Sequence, residues 1–325
     1  MTMKILDLEI TPGISVSLVD LPLDMDGYHD FFGIWLVRDE WRKRNTLVDV
    51  GPTSTASILI EELYELGVKK LDYILLTHIH LDHSGGLAEL LRAFPSARVS
   101  VHPKGKPHLL NPERLWESSL QVIPEMALAY GEPSPVDDDC FVPEETPVPG
   151  ITAVDTPGHA PHHRSFFYGT PEDRVLFAGE AASTFTRLDH LVPGEDEGRY
   201  MLRPASPPRF YIETALHSIE KLKGIDASLL CYAHFGYTKQ VRKMLNEAGD
   251  QIRLWRKLFG EFLDTKGYTH ETQVGMDELL GFVIERDPWL ADFSLLPPDV
   301  GSREMGFMLS SAAGFLGAVL EERKV

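Results

Sequence analysis

Cysteine is scarce in this chain. Cys140 and Cys231 are the only two in 325 residues, too few for a disulfide framework or a thiolate metal cluster, and this favours a reducing interior. Basic residues are also in short supply: 31 Lys and Arg against 49 Asp and Glu leave a net charge of −18. Nucleic acids and anionic membranes demand a basic face, so the balance counts against both as partners, a local patch aside. Long apolar runs are missing too. The N-terminus "MTMKILDLEITPGISV" has no run of signal-peptide length, and no uncharged run approaches the ~18 residues of a membrane span. The longest candidate, "MGFMLSSAAGFLGAVL", is short and rich in small residues, which predicts a packed helix, in the monomer or at a homodimer interface. A soluble, cytoplasmic protein is expected.

What is present suits a globular enzyme. Hydrophobic residues make up 43% and charged residues 25%, ample for one large domain or a domain with a smaller appendage. "ISVSLVDL", "FFGIWLVRD" and "NTLVDVG" read as strands. "STASILIEELYELGV" reads as a helix with Ile58, Ile60, Leu63 and Leu66 on roughly one face. "DYILLT" and "ARVSVH" are strands flanking the helix "GGLAELLRAF". Residues 105–149 differ in texture: one or two helices, then the acidic, Pro-rich "EPSPVDDDCFVPEETPVPG", together an insertion on the surface. Strands resume in "ITAVDTPGH", "RSFFYGT", "RVLFAGE" and "ASLLCYAHFG"; the Pro- and Arg-rich "GRYMLRPASPPRF" reads as a loop before the helix "YIETALHSIEKLKG". After about Tyr237 the pattern is helical to the end. This predicts an α/β core over residues 1–237 and a small helical region over 238–325.

The chemistry concentrates in "LLTHIHLDHSGG". His78, His80, Asp82 and His83 follow H-x-H-x-D-H directly after an apolar run, and imidazoles with a carboxylate are donors for zinc, or for iron and manganese as carboxylate content rises. A loop leaving a buried strand can aim His78 and His80 at one point, and Asp82 and His83 at a second. Three later apolar runs each end in a further donor: His159 in "DTPGHAPHH", Glu180 in "FAGE" and His234 in "YAHFG". Two divalent cations sharing a water would lower its pKa and supply hydroxide near neutral pH, so no serine or cysteine nucleophile is needed and Cys231 is expected to be a buried strand residue. His162 and His163 are expected behind the ligands rather than among them. His29, His102, His108, His190, His217 and His270 are isolated and default to structural or surface positions. Trp116, Tyr130 and Tyr211 read as core before pocket, and Arg199, Arg203 and Arg209 as a solvated loop before a carboxylate clamp.

In order and spacing, "THIHLDHSGG", "TPGHAPHH", "LFAGE" and "AHFG", with "NTLVDVGPTS" ahead of them, resemble the metallo-β-lactamase superfamily over residues 1–237. The resemblance implies a four-layered αβ/βα sandwich with a dinuclear metal site at one edge. It places His78, His80 and His159 on a first metal and Asp82, His83 and His234 on a second, with Asp82 also orienting the nucleophile. The superfamily's bridging aspartate, in "GD", is replaced here by Glu180 in "GE". The implied function is hydrolysis of an ester, lactone or thioester in a small molecule, on two divalent ions with zinc as first choice. Phosphodiester or nucleic-acid cleavage is disfavoured by the acidic balance. A flavodiiron oxidoreductase would carry a Glu inside the first motif and a flavin domain; a sulfur dioxygenase with one iron is harder to separate from a hydrolase.

Overall fold

The computed structural model describes residues 5–144, 148–170, 173–191, 198–234, 236–267 and 274–323. Its strands in chain order begin with β1 (Ile5–Thr11), β2 (Ile14–Asp20), β3 (Gly33–Asp39), β4 (Arg44–Val48), β5 (Tyr73–Leu75) and β6 (Arg98–Ser100). They continue with β7 (Ile151–Asp155), β8 (Arg164–Tyr168), β9 (Val175–Gly179), β10 (Thr184–Arg187), β11 (Tyr200–Arg203), β12 (Leu229–Tyr232) and β13 (Tyr237–Thr238). The chain forms two compact units. The first comprises Met1–Asp155, His162–Gly179 and Ala227–Lys239; the second comprises Thr156–Pro161, Glu180–Asp226 and Gln240–Val325.

The first unit holds two sheets, ordered β1-β2-β3-β4-β5-β6 and β13-β12-β9-β8-β7. Pairing in the first sheet is antiparallel through β4 (Leu18 opposite Trp35) and then parallel from β4 to β6 (Leu47 opposite Ile74). The change follows from the connections, since parallel neighbours need a crossover, here the helices Ala56–Glu65 and Leu87–Ala93. Alternation along the strands sends every second side chain inward. Val16, Leu18, Trp35 and Val37 thus meet Phe166, Tyr168, Phe177 and Cys231 in one buried cluster. Burying each large apolar side chain stabilises by about 1.5–3 kcal/mol. The Trp35 Nε1–H donates to the Tyr232 carbonyl at 2.8 Å. Cys231 is 1% exposed, and burial pushes its thiol pKa well up.

Helix Ala56–Glu65 buries Ala56, Leu59 and Leu63 rather than the face through Ile58 and Ile60. Two residues apart on a helix means about 200° around the axis, so those two isoleucines cannot share a face. The described part of residues 105–149 forms the α-helices Lys106–Leu110, Glu113–Val122 and Pro124–Tyr130 and a 3-10 turn, Asp138–Cys140.

In the second unit β10 pairs antiparallel with β11, Phe185 opposite Leu202. A strand therefore lies within the stretch that reads as a loop: Tyr200–Arg203 are β-compatible residues, and only the prolines after them are breakers. The helices Ile212–Lys223, Val241–Lys266, Met276–Ile284 and Pro298–Glu322 belong to the same unit. The apolar C-terminal run packs within this unit, the Phe315 ring lying 5.3 Å from Trp255 and 5.6 Å from Phe259. Among the described residues no helix is long and apolar enough to cross a membrane.

Candidate metal centre

In the first unit the donors sit where strands stop. After β5 the chain passes Thr77 into His78, and the short helix Leu81–Ser84 carries Asp82 and His83. Beyond β12 comes His234. Because β12 runs parallel to β9, and β4 parallel to β5, each parallel set ends on one edge of its sheet. His78 is fully buried, His83 2% exposed and His234 4% exposed. The His78 Nε2 and His80 Nδ1 atoms converge to 3.0 Å. Asp82, His83 and His234 form a second cluster, with donor atoms within 4.8 Å of one another. Asp82 Oδ2 is 3.4 Å from His83 Nε2 and 3.9 Å from His234 Nε2.

A residue that the sequence pattern did not single out orders this cluster. Asp49, directly after β4, is 2% exposed and has a left-handed backbone, φ 60°. One carboxylate oxygen accepts the Thr77 backbone N–H at 2.8 Å, and the other accepts the Thr77 hydroxyl at 2.8 Å. The second oxygen also lies 3.0 Å from His83 Nδ1. A carboxylate only accepts, so Nδ1 carries a proton, and Nε2 is the ring nitrogen left facing Asp82 and His234. Burial disfavours charge on His83, and the Asp82 and Asp49 carboxylates more than reverse this, raising its pKa well above the ordinary range. The same two carboxylates stabilise any cation lodged beside them.

The His162 and His163 rings lie 6.4 Å and 5.2 Å from the His78 ring. His163 is fully buried against Gly179, where a Cβ would collide with its ring and φ is +59°. The glycine of "GE" is therefore required by close approach and by backbone conformation.

The second unit holds the remaining two donors. His159 Nε2 lies 2.7 Å from Glu180 Oε2, and His159 Nδ1 donates to the Ala205 carbonyl at 3.1 Å. With its Nδ1 proton so engaged, Nε2 presents a lone pair to a carboxylate oxygen. A shared proton or a cation between them relieves the repulsion. Both residues line a cavity with about 10 Å³ for the centre of a water, about one water's worth. Ser183 also lines it. It is 4% exposed with φ 73°, and its Oγ has no hydrogen-bond partner among the described residues.

The other singled-out residues fall as follows. Tyr130 is 2% exposed, Trp116 half-buried and Tyr211 66% exposed, so core holds for the first only. Arg203 is not solvated: it is 6% exposed, donates to Glu304 at 3.3 Å and to Ser311 at 3.2 Å, and lies over the Phe307 ring. Arg199 pairs with Asp292 at 2.8 Å. His270 and the side chain of His190 lie outside the described residues.

The sequence profile of the Metallo-beta-lactamase superfamily matches residues 34–234. The chain belongs to the metallo-beta-lactamase superfamily. Among relatives, a metallo-beta-lactamase fold-containing protein of Sulfurisphaera tokodaii is 28% identical over 201 residues, 57% of this chain and 70% of that one. A probable metallo-hydrolase of Bacillus subtilis is 28% identical over 206 residues, 58% of this chain and 74% of that one. Among solved structures, a metallo-beta-lactamase family protein of Thermus thermophilus superposes with a TM-score of 0.59 at 21% identity, over 97% of this chain and 95% of that chain. That likeness speaks to the mixed α/β fold. Membership of the superfamily makes this protein an enzyme of a metal-dependent family, and the Asp82, His83 and His234 donors fit a cation in number and type.

Proposed function

We propose that this metallo-beta-lactamase superfamily member is a dinuclear zinc hydrolase of small-molecule esters, lactones or thioesters. The observation that carries this is the Asp82–His83–His234 cluster, with the His83 tautomer set by Asp49. By the family's ligand order, His78, His80 and His159 would hold one cation and Asp82, His83 and His234 the other, with Glu180 standing where the family has its aspartate. When bound, two such cations supply Lewis acidity and a hydroxide-strength nucleophile near neutral pH.

The chain's own residues do the rest. Asp82 orients the attacking water through a carboxylate oxygen. Asp49 keeps the His83 proton on Nδ1, and Ala205 keeps that of His159 on Nδ1. Glu180 is one methylene longer than aspartate and reaches His159 Nε2 directly. The carboxylate at this position and the complete H-x-H-x-D-H favour the hydrolase branch over β-lactam cleavage. The charge of −18 disfavours polyanionic substrates. Two free cysteines, one buried and one half-buried, suit a cytoplasmic location. Residues 1–237 form the catalytic region in this scheme, with 238–325 as its helical complement.

The test is turnover on a panel of lactones, thioesters, esters and phosphodiesters, comparing zinc-loaded with chelated protein. Chelator-sensitive turnover of one of the first three classes is expected. No turnover by protein shown to hold two zinc ions would overturn the hydrolase assignment and direct attention to iron content and sulfur oxidation.

A further inference from the structure

The segment between β2 and β3 makes contacts that the hydrolase scheme leaves unexplained. It begins at Asp20, the last residue of β2, which is 6% exposed. One carboxylate oxygen accepts the Asp30 N–H at 3.0 Å, and the other faces the Phe31 N–H at 3.4 Å. Asp30 is left-handed, φ 48°, so the two N–H groups are turned together toward Asp20. Immediately beyond, the segment meets the end of β12. Phe32 bridges His234 in antiparallel fashion, and the Gly33 N–H donates to the Ala233 carbonyl at 3.1 Å. The Phe31 ring stacks on the His234 imidazole, with centroids 4.4 Å apart and planes at 28°.

We propose that Asp20 is a positioning residue for the ligand His234. By holding the Asp30 and Phe31 amides it seats the Phe31 ring on the imidazole, and so sets the affinity of the Asp82–His83–His234 cluster for a divalent cation. This rests on the ligand role of His234 proposed above.

The chemistry of the anchor supports a role beyond packing. Two acceptor oxygens meet two backbone donors, which a carboxylate supplies and an amide does not. Asparagine would keep one acceptor and turn its NH2 toward the other N–H. The carboxylate is also kept where burial opposes its charge. Burial pushes the Asp20 pKa up to about 6, the nearby Asp30 carboxylate adds to the rise, and the two backbone N–H groups and His29 work against it. A residue that costs stability and touches an orienting stack on a ligand points to function. Tyr28 extends the same wall: its ring lies 5.5 Å from Phe31, and its hydroxyl is 3.0 Å from the Met126 sulfur of helix Pro124–Tyr130. The 105–149 insertion thus contributes to the surroundings of His234.

The test is cobalt(II) titration by chelator competition on the full chain, comparing wild type with Asp20→Asn and Phe31→Leu. Expected is a selective effect: one of two cobalt equivalents weakened about tenfold or more in each variant, as for other groups that orient a ligand. The other equivalent and the far-UV circular dichroism should stay as in wild type. Asp20→Asn should be no less stable than wild type at pH 7 when metal-free. Unchanged affinity for both equivalents in either folded variant overturns the proposal, as does equal loss of both accompanied by destabilisation, which would make Asp20 structural. If Asp20→Asn does not fold, Phe31→Leu decides alone. Failure of wild type to bind a second equivalent would instead defeat the two-cation scheme itself.

Discussion

Replacing Asp49 by asparagine changes one atom in a buried network and tests how the metal cluster is ordered. The carboxylate takes three donors: the Thr77 N–H at 2.8 Å, the Thr77 hydroxyl at 2.8 Å and the His83 ring at 3.0 Å. An asparagine whose oxygen stays on the Thr77 N–H turns its NH2 toward His83 Nδ1. That nitrogen must then accept, which moves the imidazole proton to Nε2, the atom 3.4 Å from Asp82 that a cation requires bare. Restoring the tautomer at the cost of a donor–donor clash should weaken cation affinity by about 10–100-fold, or about 1.4–2.7 kcal/mol. Zinc titration against a fluorescent chelator reads the affinity directly. Thermal melts with and without zinc read it again, because the increment in stability from saturating metal should shrink by the same amount. Unchanged zinc affinity in folded Asp49→Asn would refute the tautomer argument.

Three further outcomes follow from local geometry. Because folding raises the Asp20 pKa from 3.8 to about 6, the protonated carboxyl is the form that folding favours. Its contribution to stability is full below about pH 4 and is lost as pH rises through 6, by about 3 kcal/mol in all. In urea melts of metal-free protein, the stability difference between Asp20→Asn and wild type should therefore grow in the mutant's favour across that window; a flat difference would refute it. A Cβ on Gly314 would collide with the Ser206 and Pro207 carbonyl oxygens. Gly314→Ala should cost about 3 kcal/mol, because backbone rather than a flexible side chain must move, and a loss below about 1 kcal/mol in a chemical melt would contradict the packing described. Ser183→Gly removes a left-handed non-glycine residue and a buried hydroxyl without a partner among the described residues. It should stabilise by about 1 kcal/mol after the entropy of glycine is charged against it, and a lower melting temperature would contradict that accounting.

The proposed ligands stand out in the sequence because several follow an apolar run, where a strand must release its chain to solvent or to a site. His78, His159, Glu180 and His234 share that signature. So does Asp49, in "NTLVDVG"; a strand-end rule applied to every run, rather than to histidine-bearing ones, would have found it. The strands of the two sheets were legible for the same reason, their β-branched and aromatic runs being bounded by Gly and Pro. Helix faces were less so, since two isoleucines two residues apart look like a stripe until the angle between them is counted. Ion pairs such as Arg203 with Glu304 join residues 101 positions apart, and no local pattern announces them.

Asp20 and Phe31 were illegible for a deeper reason. "LVDLPLDMDGYHDFF" has the composition of a solvated turn, and nothing in it names a partner. Its meaning comes from register: Phe32 lies opposite His234, some 200 residues away, because β12 happens to end beside the start of β3. A ligand can be read from what its side chain can donate. The residues that aim it can be read only once the fold has chosen their neighbours, so candidate ligands can be proposed from one sequence while the surroundings that tune their affinity cannot. In this chain the tuning residues would be sought on the segments that pair with ligand-bearing strand ends, rather than near the ligands in sequence.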